Sequence, residues 1–98
     1  MRKFSVAVLD AEVLVCGDID PACVPSLRAA MAATAPGPLI VDLRGVTFLN
    51  SAGIHPLLDV ADRGLTVVVR AGSVAARLLA IVGLGDRATV VHDAGFPR

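Results

Sequence analysis

Residues 39–58 read LIVDLRGVTFLNSAGIHPLL, and the fold turns on how that stretch is divided. It opens as a buried strand over residues 39–43, where Leu39, Ile40 and Val41 leave no polar face and so call for protein on both sides. It then runs directly into Asn50 and Ser51, where a helix can begin. A serine at that junction has two uses. Its hydroxyl can accept from free backbone N–H groups as a helix cap, or it can carry a phosphate whose charge sits at the positive end of the helix dipole. The residues alone leave cap, switch or both open, and Asn50 beside it fits an Asx turn.

Past this junction, Ile54, Leu57, Leu58 and Ala61 recur at helical spacing and are expected to form the buried stripe of a second helix. Residues 65–69 repeat the strand pattern after Gly64. Ser73 caps a third helix carrying Val74, Leu78, Leu79, Ile81 and Val82, which Gly83 and Gly85 stop before a short last strand at residues 89–91. Toward the N-terminus, residues 4–9 and 13–16 form an expected hairpin around Asp10-Ala11-Glu12, ended by Gly17. Asp20-Pro21 opens the first helix, whose apolar stripe is Val24, Leu27 and Met31. Pro25 has no N–H to donate and marks its proper start, and the APGP of residues 35–38 stops it. The order is β-β-α-β-α-β-α-β. It defines an α/β domain over residues 1–98, a largely parallel mixed sheet covered by helices with an antiparallel edge.

Ninety-eight residues suit one domain, and a chain of that size buries roughly two thirds of its unfolded surface. No apolar run reaches the length of about 18 residues that a membrane span needs, since Arg77 interrupts the longest, so the 55 % apolar content signals a core and a sticky face, with homodimerisation one use for it. Met1-Arg2-Lys3 leads into a strand pattern carrying Asp10 and Glu12 instead of a signal-peptide core, which points to the cytoplasm. A formal net charge of zero lacks the footprint of a nucleic-acid binder. Cys16 and Cys23 lack metal or redox spacing and read as small buried thiols, and His55 and His92 are too far apart for a helical metal pair. Ser51, His55 and Asp59 lack a glycine-flanked nucleophile elbow, and Asp42, Asp59 and Asp62 show no paired-carboxylate spacing. No catalytic residue, metal or cofactor is expected.

Three segments in order carry a resemblance: VCGDID (residues 15–20), DLRGVTFLNSAGI (residues 42–54) and VAARLLAIVGLGDR (residues 74–87). Together they resemble the STAS domain, and within it the stand-alone anti-sigma-factor antagonists of bacterial partner-switching systems. The resemblance implies a regulatory binding protein, not an enzyme, whose partner is an anti-sigma factor that is also a serine kinase. It implies phosphorylation at Ser51 and a partner surface of Asn50, Ser51, Ala52, Gly53 and His55, with Asp42 at a strand's carboxyl end beside it. Arg77 resembles a recurrent position on the third helix. The alternative within the same resemblance is a STAS subunit that binds constitutively to an ATPase of a transporter or to a stress-signalling assembly. The chain departs from the family pattern at Asn50, where an Asp is usual, and at Pro56, which shifts the expected helix start to Pro56 with His55 as its cap. Residues 51–64 are also about one helical turn shorter than usual, and only GFPR follows where members commonly continue into another helix.

Overall fold

The computed structural model describes residues 3–94; the readings of the first two residues and of the GFPR tail lie outside them. The chain forms β1 (Ser5–Leu9), β2 (Glu12–Ile19), α1 (Val24–Ala32), β3 (Leu39–Leu49), α2 (Ile54–Asp59), β4 (Leu65–Arg70), α3 (Val74–Val82) and β5 (Thr89–Asp93). Short 3-10 turns at Pro21–Cys23, Ser51–Gly53, Ala61–Arg63 and Leu84–Asp86 join several of them. The order read from the sequence is the order observed.

The five strands lie in the sheet in chain order, β1 antiparallel to β2 and the rest parallel. Each of the three crossovers therefore steps the same way across the sheet, and the right-handed rule for such connections sends all three helices to one face. The core has that one-sided form. Val13, Ile19, Val41 and Val67 are fully buried, and from the strands they meet Leu27 of α1, Leu57 of α2 and Leu79 of α3 in one apolar cluster. The opposite face of the sheet is open. This corrects the expectation of protein on both sides of β3, since Ile40 is 41 % exposed there.

Local chemistry sets the element ends. Asp10 takes a left-handed φ of 59° in the β1–β2 hairpin, a conformation aspartate tolerates. Asp20 accepts from the Ala22 N–H at 3.0 Å, and Pro25 falls in the first turn of α1, where its missing N–H is no loss. Ser73 accepts from the Ala76 N–H at 3.0 Å, and Gly83 ends α3 at φ 73°. The Arg63 guanidinium donates to the carbonyl oxygens of Gly37, Ala35 and Met31 and to the Thr34 hydroxyl, at 2.7 to 3.3 Å. That clasp ties the end of α1 to the loop that launches β3.

Three further expectations are corrected. β2 continues through Gly17 to Ile19, because a register shift against β3 is absorbed there with Gly17 at φ 87°. β3 runs eleven residues and not five. On α3, whose inward side the sequence left undecided, the inward residues are Ala75, Ala76 and Leu79, while Val74, Ile81 and Val82 face out, Ile81 at 80 % exposure. Cys16 is exposed on the open sheet face, and Cys23 is half-buried with its thiol 3.3 Å from Asp20 Oδ1. Desolvation pushes the Cys23 pKa up, an effect outweighing the backbone hydrogen bond that lowers it.

A candidate partner-binding site

β3 pairs with β2 as far as Leu49 but with β4 only through the Asp42–Val68 register, so residues 43–49 extend past the β3–β4 ladder. At about 3.3 Å per residue this overhang is roughly 23 Å long. A cleft of about 350 Å³ opens beside it, bounded by Arg44, Thr47, Arg70 and Ser73. Ser51 follows the tip of the overhang. Its turn is anchored by the Asn50 N–H, which donates to Ile19 O at 2.9 Å.

Asn50, not Ser51, is the cap. In extended conformation (φ −81°, ψ 151°), it accepts the Ala52 N–H on Oδ1 at 2.9 Å, an Asx turn, and the Gly53 N–H on its carbonyl at 2.9 Å. The Ser51 side chain is exposed, and among the described residues its hydroxyl makes no hydrogen bond. The structure thus separates two roles that the sequence left on one residue.

The regular helix begins at Ile54 after the Ser51–Gly53 turn, so the expected start at Pro56 with His55 as cap is corrected. Pro56 fits because it lies in the first turn, where N–H groups have no helical acceptor, and its ring is buried. His55 is exposed and Ala52 half-buried. Ile54, Leu57 and Ala61 are buried as expected, with Leu58 only partly so. Gly53 is also buried. A Cβ there would lie 2.8 Å from Leu49 Cδ1 and 2.9 Å from Ile19 Cγ2, so the domain's own packing requires its small size.

Asp42 does not join this group. It is the fourth residue of β3, well short of the strand's carboxyl end, and is 7 % exposed on the otherwise open face. The Arg44 backbone N–H (2.9 Å), Nε (3.1 and 3.2 Å) and Nη2 (2.8 Å) all donate to it, while Arg44 Nη1 reaches Asp93 at 2.7 Å. Hydrogen bonding from Arg44 holds the Asp42 carboxyl below its usual range against the opposing effect of burial, and the two carboxylates hold the Arg44 pKa up. The trio crosses the sheet from β3 to β5 and is structural. Asp59 is likewise engaged, in an ion pair with Arg28 that links α2 to α1. Among the described residues no cluster of His, Cys, Asp and Glu could hold a metal, and no helix is long and apolar enough to cross a membrane.

One surface residue near Ser51 escaped the sequence reading. Phe48 is 47 % exposed on the overhang, and in a chain with three phenylalanines and no tryptophan or tyrosine, an exposed aromatic was the signal available.

A sheet in consecutive strand order, with the helices on one face, is the STAS-type fold that the sequence led us to expect. The particular likeness is to a crystal structure of an anti-sigma factor antagonist from Mycobacterium paratuberculosis, with 27 % sequence identity and a TM-score of 0.71 over 93 % of this chain and 86 % of that one. The resemblance read from the sequence is borne out by this match. No family model matches the chain, and neither does any curated protein.

Proposed function

We propose that this chain is an anti-sigma-factor antagonist. It binds an anti-sigma factor through the surface around Ser51, so freeing a sigma factor, and is released when the same partner, acting as a kinase, phosphorylates Ser51. It acts in the cytoplasm as a regulatory binding module, not as an enzyme and without contacting nucleic acid. The observation that carries the reading is the state of the Ser51 hydroxyl: exposed, without a hydrogen-bond partner among the described residues and relieved of capping by Asn50. Such a group is accessible to a kinase, and modifying it removes no bond that holds the turn.

The energetics suit release. A phosphoserine adds about −1.5 to −2 charges at neutral pH. Stabilisation by the short turn and helix that follow is on the order of 0.3 to 1 kcal/mol, whereas desolvating the charge at an apolar interface costs several kcal/mol unless the partner supplies a cation. A net loss of roughly 3 kcal/mol lowers affinity more than a hundredfold. The test is incubation with a candidate anti-sigma kinase and ATP, followed by mapping of the phosphate. Phosphate at Ser51 with loss of the complex is expected; a partner that binds yet never modifies Ser51 would refute release by phosphorylation.

A further inference from the structure

β3 changes character along its length. As far as Asp42 it is paired on both sides, with β2 and with β4, but from Gly45 to Leu49 its pairing is with β2 alone. Strand residues turn their backbone groups alternately to either neighbour, so some of the N–H and C=O groups of this segment point to the β4 side, where they have no hydrogen-bond partner among the described residues. The position alongside is vacated by β4, which ends at Arg70 before the chain turns away into α3 after Ser73. The cleft of about 350 Å³ lies in that gap, lined by residues 44–47 of β3 and by Arg70 and Ser73.

A row of unpaired backbone groups specifies its occupant more closely than an apolar patch does, because another extended backbone repeats donors and acceptors at the same spacing. Five residues offer about 16 Å of edge, enough for a short strand. Charge narrows the choice. Arg44 is engaged by Asp42 and Asp93, but Arg70, exposed at the cleft, has no ion-pair partner among the described residues. Phe48, also exposed on the segment, supplies an aromatic contact. The outer edges at β1 and β5 offer backbone too, but each lies two strands away from β3 and the Ser51 turn that follows it.

We infer that the anti-sigma factor adds an extended segment to the sheet here, pairing with residues 45–49 of β3 in the place β4 vacates and setting a carboxylate against Arg70. The inference rests on the function proposed above and names the part of the partner that this site takes. Main-chain hydrogen bonds supply the affinity, and the pairing holds the body of the partner next to Ser51, where its kinase centre must reach.

Amide hydrogen exchange on the full chain, alone and with the anti-sigma kinase of the phosphorylation assay in excess, tests the pairing. Within residues 45–49, amides that exchange readily in the free chain are expected to slow by about tenfold or more in the complex. Peptides covering the kinase sequence then locate the added segment. N-methylation along the peptide that binds should weaken it about tenfold at alternate residues and little between them, the period of a strand. Arg70→Ala, at an exposed site, should stay folded by circular dichroism and bind the kinase about threefold to fivefold more weakly. A complex that forms while residues 45–49 exchange as before, methyl effects without alternation, no peptide that binds at about 1 mM, or Arg70→Ala binding as the wild type does would each overturn the inference and leave the proposed function standing. If no anti-sigma kinase binds the chain, the function itself falls and the inference with it.

Discussion

Replacing Asn50 and Ser51 by alanine, one at a time, separates the residue that holds the turn from the residue proposed to switch it. In Asn50→Ala the Ala52 N–H loses its 2.9 Å acceptor. Loss of an N-cap of this kind costs about 1 kcal/mol, within a range of about 0.5 to 2. In Ser51→Ala an exposed hydroxyl that bonds none of the described residues disappears, and surface changes of that sort stay within about 0.5 kcal/mol. For a domain of this size 1 kcal/mol corresponds to a melting shift of about 4 to 8 °C. Equilibrium urea unfolding with a common m-value is the assay, since it converts a midpoint change directly into free energy. Asn50→Ala should unfold at clearly lower urea and Ser51→Ala beside the wild type. The reverse order, with Ser51→Ala down by 1 kcal/mol and Asn50→Ala unchanged, would return the capping role to Ser51 and remove the basis for reading it as a switch.

Ser51→Asp should weaken anti-sigma-factor binding by about 1 to 3 kcal/mol relative to Ser51→Ala, tenfold to more than a hundredfold, and equal affinities by calorimetry with both variants folded would defeat the switch. Gly53→Ala keeps an allowed backbone (φ −72°) but drives a methyl into Leu49 and Ile19; a loss of about 1 to 3 kcal/mol is expected, and a variant as stable as the wild type would show that the core yields there. The Asp42 pKa is lower in the folded chain than in the unfolded one, so the stability it contributes is complete above about pH 4 and is lost as pH falls through the folded value. Asp42→Asn, measured by urea unfolding from pH 6 downward, should be less stable at neutral pH and flatter toward acid, and an acid slope equal to the wild type's would dismiss this carboxylate as its source.

Local chemistry was legible where one or two neighbouring residues settle the structure. Ser73, Gly83 and the Asp20-Pro21 pair bound their helices as their types require, and the alternation of strand and helix patterns delivered the sheet. What the sequence hid depends on contacts distant in the chain. Arg63 reaches carbonyls 26 to 32 residues away and carries no local mark of doing so. In VAARLLAIV every residue but one is apolar, so periodicity could not say which side faces the core, and the small Ala75 and Ala76 lie inward where the helix packs close to the sheet. Asp42 read as a strand-end carboxylate because β3 looked half its length; the register shifts against β2 that let the strand continue have no signature beyond Gly17. At the site, the serine was found from its motif, but the division of labour between Asn50 and Ser51 needed coordinates.

The reach of β3 beyond its β4 ladder bears on how such a protein can diversify. Residues 43–49 are paired on one side only, by β2, and the turn beyond them hangs on Asn50 and the buried Gly53. Mutations on the exposed positions there, such as Thr47, Phe48, Ser51 and His55, leave the β3–β4–β5 ladders and the Asp42–Arg44–Asp93 trio untouched. On the function proposed above, duplicated copies of such a gene could drift apart in partner preference at this tip while inheriting an intact scaffold, so that paralogues acquire separate signalling circuits without first having to evolve a new fold.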